Sequence, residues 1–185
     1  VTLFSWAGFA YAFKYLWSPL VDNYKLPIFK KFGHRRSWLL CSQFLIITAL
    51  ILTAFTDPKE SLFFTALFIT ILAFFSATQD ILIDAFRIES APQSLQGPLS
   101  SMYIAGYRIA MLVAGAGSLW LASFFGTEIY DQNVWKKVYL IMSLFMFVGV
   151  FATIISDEPR LKRNFNSEKH LKFLVTVFIA VIGFI

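Results

Sequence analysis

Five long apolar runs constrain this chain more than any other feature of its sequence. They cover residues 2–20, 37–56, 61–79, 99–126 and 138–156. A membrane-spanning helix needs about 20 predominantly apolar residues, so each run is long enough to cross a bilayer. Inside the hydrocarbon every backbone N–H and C=O needs a partner, and a helix supplies these partners within its own segment. The runs therefore predict an all-α, multi-pass membrane protein.

The composition agrees with a chain whose apolar surface is surrounded mainly by lipid. Of the 185 residues, 58% are hydrophobic and 15% are charged, whereas about one quarter of a soluble domain is charged. This balance argues against a disordered chain, a nucleic-acid-binding arm and a solvated coiled coil. One cysteine, Cys41, cannot form an internal disulfide. Because the chain shows no Cys/His cluster, phosphate-binding loop or nucleophile triad, we expect no metal, no cofactor, no nucleic-acid partner and no enzymatic activity.

The Lys and Arg residues are distributed unevenly among the connections. Five lie within residues 21–36, five follow residue 156, and Arg87 lies between the third and fourth runs. If the helices alternate in direction, these three connections share one side. The other side carries three lysines, Lys59, Lys136 and Lys137. Since cytoplasmic loops are enriched in Lys and Arg, we place the three basic connections in the cytoplasm.

Two cations fall inside the apolar runs, where each costs about 2.5–3.5 kcal/mol on insertion scales. Lys14 lies roughly 9 Å from the end of its helix, so it either snorkels to the interface or faces a central cavity. Arg108 lies roughly 15 Å deep and cannot lose its proton. It either forms a structural ion pair with Asp80 or Asp84, or serves an anionic substrate group or a titrating carboxylate.

Asp80, Asp84 and Arg87 follow an i, i+4, i+7 spacing that places them on one face of the third helix. Gln79 flanks this group. A partly desolvated carboxyl can bind and release protons near neutral pH, so the group is a proton-coupling site, a gate that holds helices together, or both. Tyr107 either belongs to an interfacial aromatic belt or faces a cavity where it stacks on a sugar.

The first connection carries a motif of its own. Asp22, at the end of the first run, is followed after a polar stretch by Gly33, Arg35 and Arg36. This order resembles the loop between helices two and three of the major facilitator superfamily. The resemblance implies a gating role for these four residues together with Arg87.

Three longer segments, residues 11–22, 76–89 and 96–108, resemble the second, fourth and fifth helices of the AmpG-type muropeptide permeases of that superfamily. Their Gln-Asp-Ile-x-x-Asp core, residues 79–84, is also similar to the related acetyl-CoA transporters. The first run would then be family helix two, and the chain would hold helices two to six and the start of helix seven of a partial major facilitator bundle.

This resemblance implies three parts. Residues 1–156 would form the N-terminal transmembrane bundle without its first helix, residues 157–170 the cytoplasmic loop between the halves, and residues 171–185 the start of the C-terminal bundle. The chain begins without Met and ends within an apolar run. We therefore expect an internal piece of a longer membrane protein, or a split gene product.

The implied function is secondary active transport by symport, with the proton gradient as the energy source. The substrates would be muropeptides, the anhydromuramyl-peptide fragments of peptidoglycan, imported across the bacterial inner membrane for cell-wall recycling. Lys14 and Arg108 suit the substrate carboxylates, whereas Asp80 and Asp84 suit coupling or gating. The expected partners are the substrate, the lipid bilayer and the remaining half of the transporter. The alternatives are a permease for another solute, a membrane subunit with a structural or partner-binding role, and a truncated remnant that does not transport.

Overall fold

The computed structural model describes residues 2–26, 33–126 and 130–159. Its α-helices are α1 (Thr2–Ala12), α2 (Ser18–Asn23), α3 (His34–Ala54), α4 (Leu62–Ser90), α5 (Gln96–Leu112), α6 (Ser118–Phe125) and α7 (Gln132–Ile155). The shorter helical segments are two 3-10 turns, Lys14–Leu16 and Gln93–Leu95, and one π turn, Val113–Gly117. These ranges contain no strand, which agrees with the predicted all-α fold.

Within the described ranges, four helical rods are long and apolar enough to cross a membrane. Three of them are α3, α4 and α7, and the fourth is the continuous rod Gln93–Phe125, in which α5, the π turn and α6 follow one another. These rods correspond to the second, third, fourth and fifth apolar runs. Residues 171–185, predicted to start the C-terminal bundle, and most of the connection 157–170 lie outside the described residues.

The first apolar run, predicted as one span over residues 2–20, is not one continuous α-helix but is divided between α1 and α2. The α-helix stops at Ala12, a 3-10 turn follows, and α2 begins at Ser18 with Pro19 in its first turn. Proline has no N–H and its ring clashes with the carbonyl four residues earlier, so an α-helix does not run through it without a kink. The break gives Lys14 a position between two short helices.

Helix α3 is the centre of the packing. Its apolar window is 56% buried, whereas the windows of α4 and α7 are each 22% buried. On one side Leu39 packs with Val21 and Leu82, which joins α3 to α2 and α4. On the other side Leu40 and Ile47 pack with residues of α7. Helix α1 lies against α4, on the face of α4 that also approaches α5.

The rod Gln93–Phe125 contrasts with α3 because none of its apolar window is buried. Large side chains along it, such as Leu112 and Phe124, are 68% and 70% exposed. In water so much apolar surface would be strongly unfavourable. Its exposure agrees with a helix whose neighbours are acyl chains or other membrane helices.

The two ends of the bundle carry different contacts. At one end the α2–α3, α4–α5 and post-α7 connections meet, since Arg35 pairs with Asp22 and Glu89 and its backbone N–H bonds Glu158. This confirms that the three basic connections share one side. At the other end the Tyr130 hydroxyl donates to Asp57 at 3.1 Å. Desolvation and this hydrogen bond raise the pKa of Tyr130 above its ordinary value, so the phenol remains a donor at neutral pH.

Candidate functional site

A cleft of about 770 Å³ opens between α1, α4 and α5. Its polar lining comes from one face of each helix, namely from Tyr11, Ser76, Gln79, Asp80, Tyr103 and Tyr107. Residues 76, 79, 80 and 83 share one face of α4 because they lie three or four positions apart. The small residues Gly106 and Ala110 complete the α5 side, and their lack of bulk keeps that wall open. A cleft that holds polar side chains between apolar rods can shelter charges from lipid.

Asp80 is the charged centre of this cleft. Its Oδ2 forms an ion pair with Nζ of Lys14, which reaches over from the break after α1. Its Oδ1 accepts a hydrogen bond of 2.9 Å from the Tyr103 hydroxyl on α5. The side chains of Lys14 and Asp80 keep 34% and 26% of their exposure, and Asp80 lines the open volume. Both carboxylate oxygens are therefore engaged by groups from two other segments.

The wall between α1 and α4 is held by further polar contacts. The Tyr11 hydroxyl donates to Ser76 Oγ at 2.7 Å, and the Trp17 indole N–H donates to the Thr78 hydroxyl at 3.1 Å. Gln79 differs from these residues because its Oε1 is buried and accepts no hydrogen bond from the described part of the chain. An amide oxygen in this position is available to a donor from a bound molecule or water.

The predicted site residues fall into two groups. Gln79, Asp80 and Tyr107 line the cleft, and Lys14 joins this group through its ion pair with Asp80. Arg108 does not join them, because its side chain is exposed and makes no ion pair with any residue that the structure describes. The structural alternative, in which Arg108 pairs with Asp80 or Asp84, is therefore wrong for this conformation.

Asp84 and Arg87 lie one and two turns further along α4, and they face each other. Nη2 of Arg87 lies 3.4 Å from Oδ1 of Asp84, as their i, i+3 spacing predicts. Arg87 also donates to the Ser100 hydroxyl, and its guanidinium lies over the Tyr103 ring, 5.3 Å from the centroid. Arg87 thus connects the cleft to the end of the bundle where the basic connections meet.

At that end Arg35 is the centre of a buried charge cluster. It is 4% exposed, and its guanidinium forms a two-point contact with Glu89, with distances of 2.7 Å and 3.1 Å. The same guanidinium pairs with Asp22. A planar guanidinium matches a carboxylate in such a fork, which fixes α3 to the ends of α2 and α4. The predicted motif residues Asp22 and Arg35 are brought together, and Glu89 joins them.

Glu158 and Arg36 join α3 and α7 reciprocally. The Glu158 carboxylate accepts the backbone N–H groups of Arg35 at 2.8 Å and Arg36 at 3.1 Å, at the positive end of the α3 dipole. Arg36 in turn donates to the carbonyl groups of Thr153, at 3.0 Å, and Ile154 near the C-terminal end of α7. The approach requires Gly33, where φ is +93° and an added Cβ would lie 2.5 Å from the Glu158 carboxyl carbon.

Sequence reasoning did not single out Tyr11, Ser76, Tyr103, Glu89 or Glu158 as site residues. The tyrosines give no signal of their own, because aromatic residues are frequent throughout this chain. Glu158 does give one, since it is an acidic residue at the start of a connection dominated by Lys and Arg. Glu89 gives none, because it lies among Asp80, Asp84 and the single Arg87.

The family model described as Major Facilitator Superfamily matches residues 1–185. A putative transporter, AmpG 4 of Rickettsia felis, is 36% identical over 203 residues, which cover all of this chain and 47% of that protein. The anhydromuropeptide permease of Escherichia coli K12 is 37% identical over 160 residues, covering 86% of this chain and 30% of the permease.

A third relative, the putative transporter AmpG 3 of Rickettsia prowazekii, is 38% identical over 163 residues, which cover 85% of this chain and 36% of that protein. The chain thus spans between about a third and a half of the length of these curated relatives. No solved structure matches it.

Proposed function

Because this chain belongs to the major facilitator superfamily, we propose that it forms part of a secondary transporter that imports muropeptides together with protons across the bacterial inner membrane. The relatives are a permease and putative transporters by name, which supports a transport role rather than an enzymatic one. Such carriers place their substrate and ion sites near the midplane, between rigid helical bundles that rock about the site.

The observation that carries this proposal is the Lys14–Asp80 pair at the wall of the cleft. A charged side chain in a membrane helix is energetically unfavourable unless it is paired with an opposite charge or hydrated. The presence of charged side chains here therefore favours a functional role. Protonation of Asp80 removes the negative charge that Lys14 neutralises. Lys14 is then free to bind an anionic group that enters the cleft, which makes proton uptake and substrate binding mutually dependent.

The substrate class follows from the relatives and from the cleft lining. One relative is an anhydromuropeptide permease by name, and such a molecule carries a sugar and peptide carboxylates. Tyr107 lines the cleft with 57% of its surface exposed, so its ring is available to stack on a sugar. Lys14 supplies a cation and Gln79 supplies an amide oxygen. Arg108, one position beyond Tyr107, is a further cation that has no ion-pair partner among the described residues.

The Arg35 cluster suits a gate. Its contacts join α2, α3 and α4, and Glu158 and Arg36 add α7. Closing that end of the bundle while the other end is open is what alternating access requires. Charge clusters are suited to such switching because they form cooperatively when the elements meet and are hydrated when the elements part.

The test is uptake of radiolabelled muropeptide by inner-membrane vesicles that contain the full transporter with this chain's sequence. We expect uptake to require a proton gradient and to stop when an uncoupler is added. Asp80→Asn should lower gradient-driven uptake about tenfold, the scale of a typical coupling free energy. Glu60→Gln, which neutralises an exposed carboxylate in the connection between α3 and α4, is the matched control. An uptake rate that is changed neither by the uncoupler nor by Asp80→Asn would contradict the proposal.

A further inference from the structure

A second cavity, of about 280 Å³, lies at the end of the bundle opposite to the Arg35 cluster. Its walls come from the last turn of α3, the connection after it, the first turn of α4 and the first two turns of α7. The lining runs from the buried residues Thr53 and Ala54 to the exposed Tyr130. The cavity shares no lining residue with the cleft around Asp80, so its role is independent of the proposed function.

Helix α7 presents four hydrogen-bond donors to this cavity. They are the side chains of Gln132, Trp135, Lys136 and Tyr139, whose i, i+3, i+4, i+7 spacing places them on one face of the helix. None of these four side chains forms a hydrogen bond or an ion pair with another residue that the structure describes. Amide, indole, ammonium and hydroxyl donors without acceptors favour a ligand that carries several acceptor oxygen atoms.

The opposite wall presents hydrogen-bond acceptors. The hydroxyl groups of Thr53 and Thr65 belong to side chains that are 3% and 4% exposed. Each donates its proton within its own helical segment, to the carbonyl of Ala49 at 2.8 Å and of Ser61 at 3.0 Å respectively. Their oxygen atoms can therefore only accept a further hydrogen bond. A ligand that fits both walls accepts hydrogen bonds on the α7 side and donates them on the α3–α4 side.

The charge of the lining favours an anion. Of the described residues that line the cavity, only Lys136 is charged. Its Nζ lies 4.1 Å from the centroid of the Phe55 ring, and no described carboxylate pairs with it. Asp57 lies outside the lining and already accepts hydrogen bonds from the Tyr130 hydroxyl and the Lys59 backbone N–H. An anionic group in the cavity would supply the counter-charge that Lys136 lacks there.

The depth of the cavity points to lipid as the source of that group. Its walls are the ends of three membrane-crossing helices, α3, α4 and α7, so it lies where hydrocarbon gives way to lipid headgroups. Trp and Tyr side chains are enriched at this depth, as Trp135 and Tyr139 are here. A volume of about 280 Å³ lies just below the roughly 300–1,000 Å³ of small-molecule sites. It suits a headgroup, while the acyl chains remain in the bilayer.

We propose that this cavity binds the headgroup of an anionic phospholipid of the phosphatidylglycerol type. The phosphodiester oxygens accept hydrogen bonds from the α7 face around Lys136. The glycerol hydroxyl groups donate to Thr53 and Thr65 on the opposite wall. Phosphatidylethanolamine fits less well, because its ammonium group would lie beside Lys136 in a lining without a carboxylate.

Lys137 provides a matched control for Lys136. It is the next residue of α7, is exposed, and does not line the cavity. Its Nζ lies 5.6 Å from the centroid of the Phe125 ring instead. Lys136→Gln and Lys137→Gln therefore remove the same charge from the same turn, but only Lys136→Gln removes it from the cavity. A third variant, Thr56→Phe, places a ring at the lining without a change of charge.

The experiment is a lipid titration followed by native mass spectrometry. The full transporter with this chain's sequence is purified in detergent, freed of lipid, and mixed with phosphatidylglycerol, with phosphatidylethanolamine of the same acyl chains, or with glycerol 3-phosphate. The fraction of protein that carries one ligand gives the Kd. We expect Lys136→Gln to weaken the binding of phosphatidylglycerol about tenfold, the loss of one charge-assisted contact. Lys137→Gln should change it by no more than about twofold.

The other variant and ligands test the remaining parts of the inference. Thr56→Phe should also weaken phosphatidylglycerol binding, because it fills the space of the headgroup. Phosphatidylethanolamine should bind the parent protein more weakly than phosphatidylglycerol, and glycerol 3-phosphate more weakly still, since it has no acyl chains to bury.

Three results would overturn the inference. Equal losses in Lys136→Gln and Lys137→Gln, or no loss in either, would show that the cavity does not select the lipid. Equal affinities for the two phospholipids would exclude an anionic headgroup site. Glycerol 3-phosphate that binds as tightly as phosphatidylglycerol would show a site for a soluble phosphate ester instead of a lipid.

Discussion

Lys14 and Asp80 hold opposite charges in a part of the molecule that lipid would otherwise surround. Each ion loses hydration on entering such a region, and their mutual attraction offsets this loss only while both partners are present. Their side chains keep 34% and 26% of their exposure, so the cleft still hydrates them in part. The pair is therefore stable as a pair, and removal of one member is more harmful than removal of both.

This difference predicts the outcome of a double-mutant cycle. Lys14→Met should destabilise the protein by about 2 kcal/mol, less than the roughly 3–5 kcal/mol typical of a fully buried pair, because the cleft hydrates the remaining carboxylate. Adding Asp80→Asn should restore a large part of that loss, with a coupling energy of about 1–2 kcal/mol. The measurement is unfolding in mixed micelles, and Lys59→Met, outside the spans, is the control. Additive single effects would show that the two charges do not depend on each other.

The sequence predicted which side chains are unusual but not which of them meet. Lys14, Asp80 and Arg108 are unusual because a charged side chain within an apolar run is energetically unfavourable unless a partner, water or a function compensates for it. Which side chains pair across two helices depends on how each helix is rotated about its axis and on where it is interrupted. The break before Pro19 places Lys14 next to Asp80. One of the two alternatives for Arg108 paired it with Asp80 or Asp84, whereas in the structure Asp80 pairs with Lys14 and Asp84 with Arg87. Tyr103 was missed because a tyrosine in an aromatic-rich chain carries no such signal.

At the scale of the helices, the patterns of hydropathy and charge predicted where α3, α4, α7 and the rod Gln93–Phe125 lie in the sequence. The reason is physical, since a bilayer admits few backbone arrangements other than helices and closed barrels. The departures occur where local chemistry competes with that rule. Pro19 interrupts the first run, and the Val-Ala-Gly-Ala-Gly stretch at Val113–Gly117 relaxes into a π turn, where two glycines weaken the α-helical preference.

The start of α3 depends on one glycine. Gly33 adopts φ of +93°, and a Cβ there would meet the Glu158 carboxyl at 2.5 Å. Gly33→Ala should therefore destabilise the protein by about 1–3 kcal/mol, because an alanine is strained at this φ and displaces the carboxylate that caps α3. Unfolding of the purified protein measures the loss.

Gly8→Ala is the control for that change, because Gly8 lies inside α1 and an added Cβ meets nothing within 4 Å. Alanine should be neutral or slightly stabilising there, since it forms helices better than glycine. Equal effects of the two substitutions would contradict the role assigned to the Glu158 contact. Glu158→Gln should weaken the same cap without straining the backbone, which separates the two causes.

At the scale of the whole molecule, the two ends of the bundle differ in charge and in contacts. One end gathers the basic connections around Arg35, Glu89 and Glu158. The other carries Asp57 and Tyr130, with Lys59 4.5 Å from the Tyr130 ring centroid. The side on which each end lies is set during insertion, when Lys- and Arg-rich loops are retained in the cytoplasm. The structure shows that the connections cluster, and the charge bias predicts their side.

This orientation predicts a pattern of cysteine labelling in intact cells. Glu60→Cys, in the connection between α3 and α4, should react with a membrane-impermeant maleimide added from outside once the outer envelope is opened. Tyr24→Cys, which is exposed after α2 at the basic end, should react only after the inner membrane is permeabilised. Cys41 is replaced by serine in both proteins, so each carries one introduced thiol. The opposite pattern would place the Arg35 cluster outside the cytoplasm and would invert the direction in which the proposed gate works.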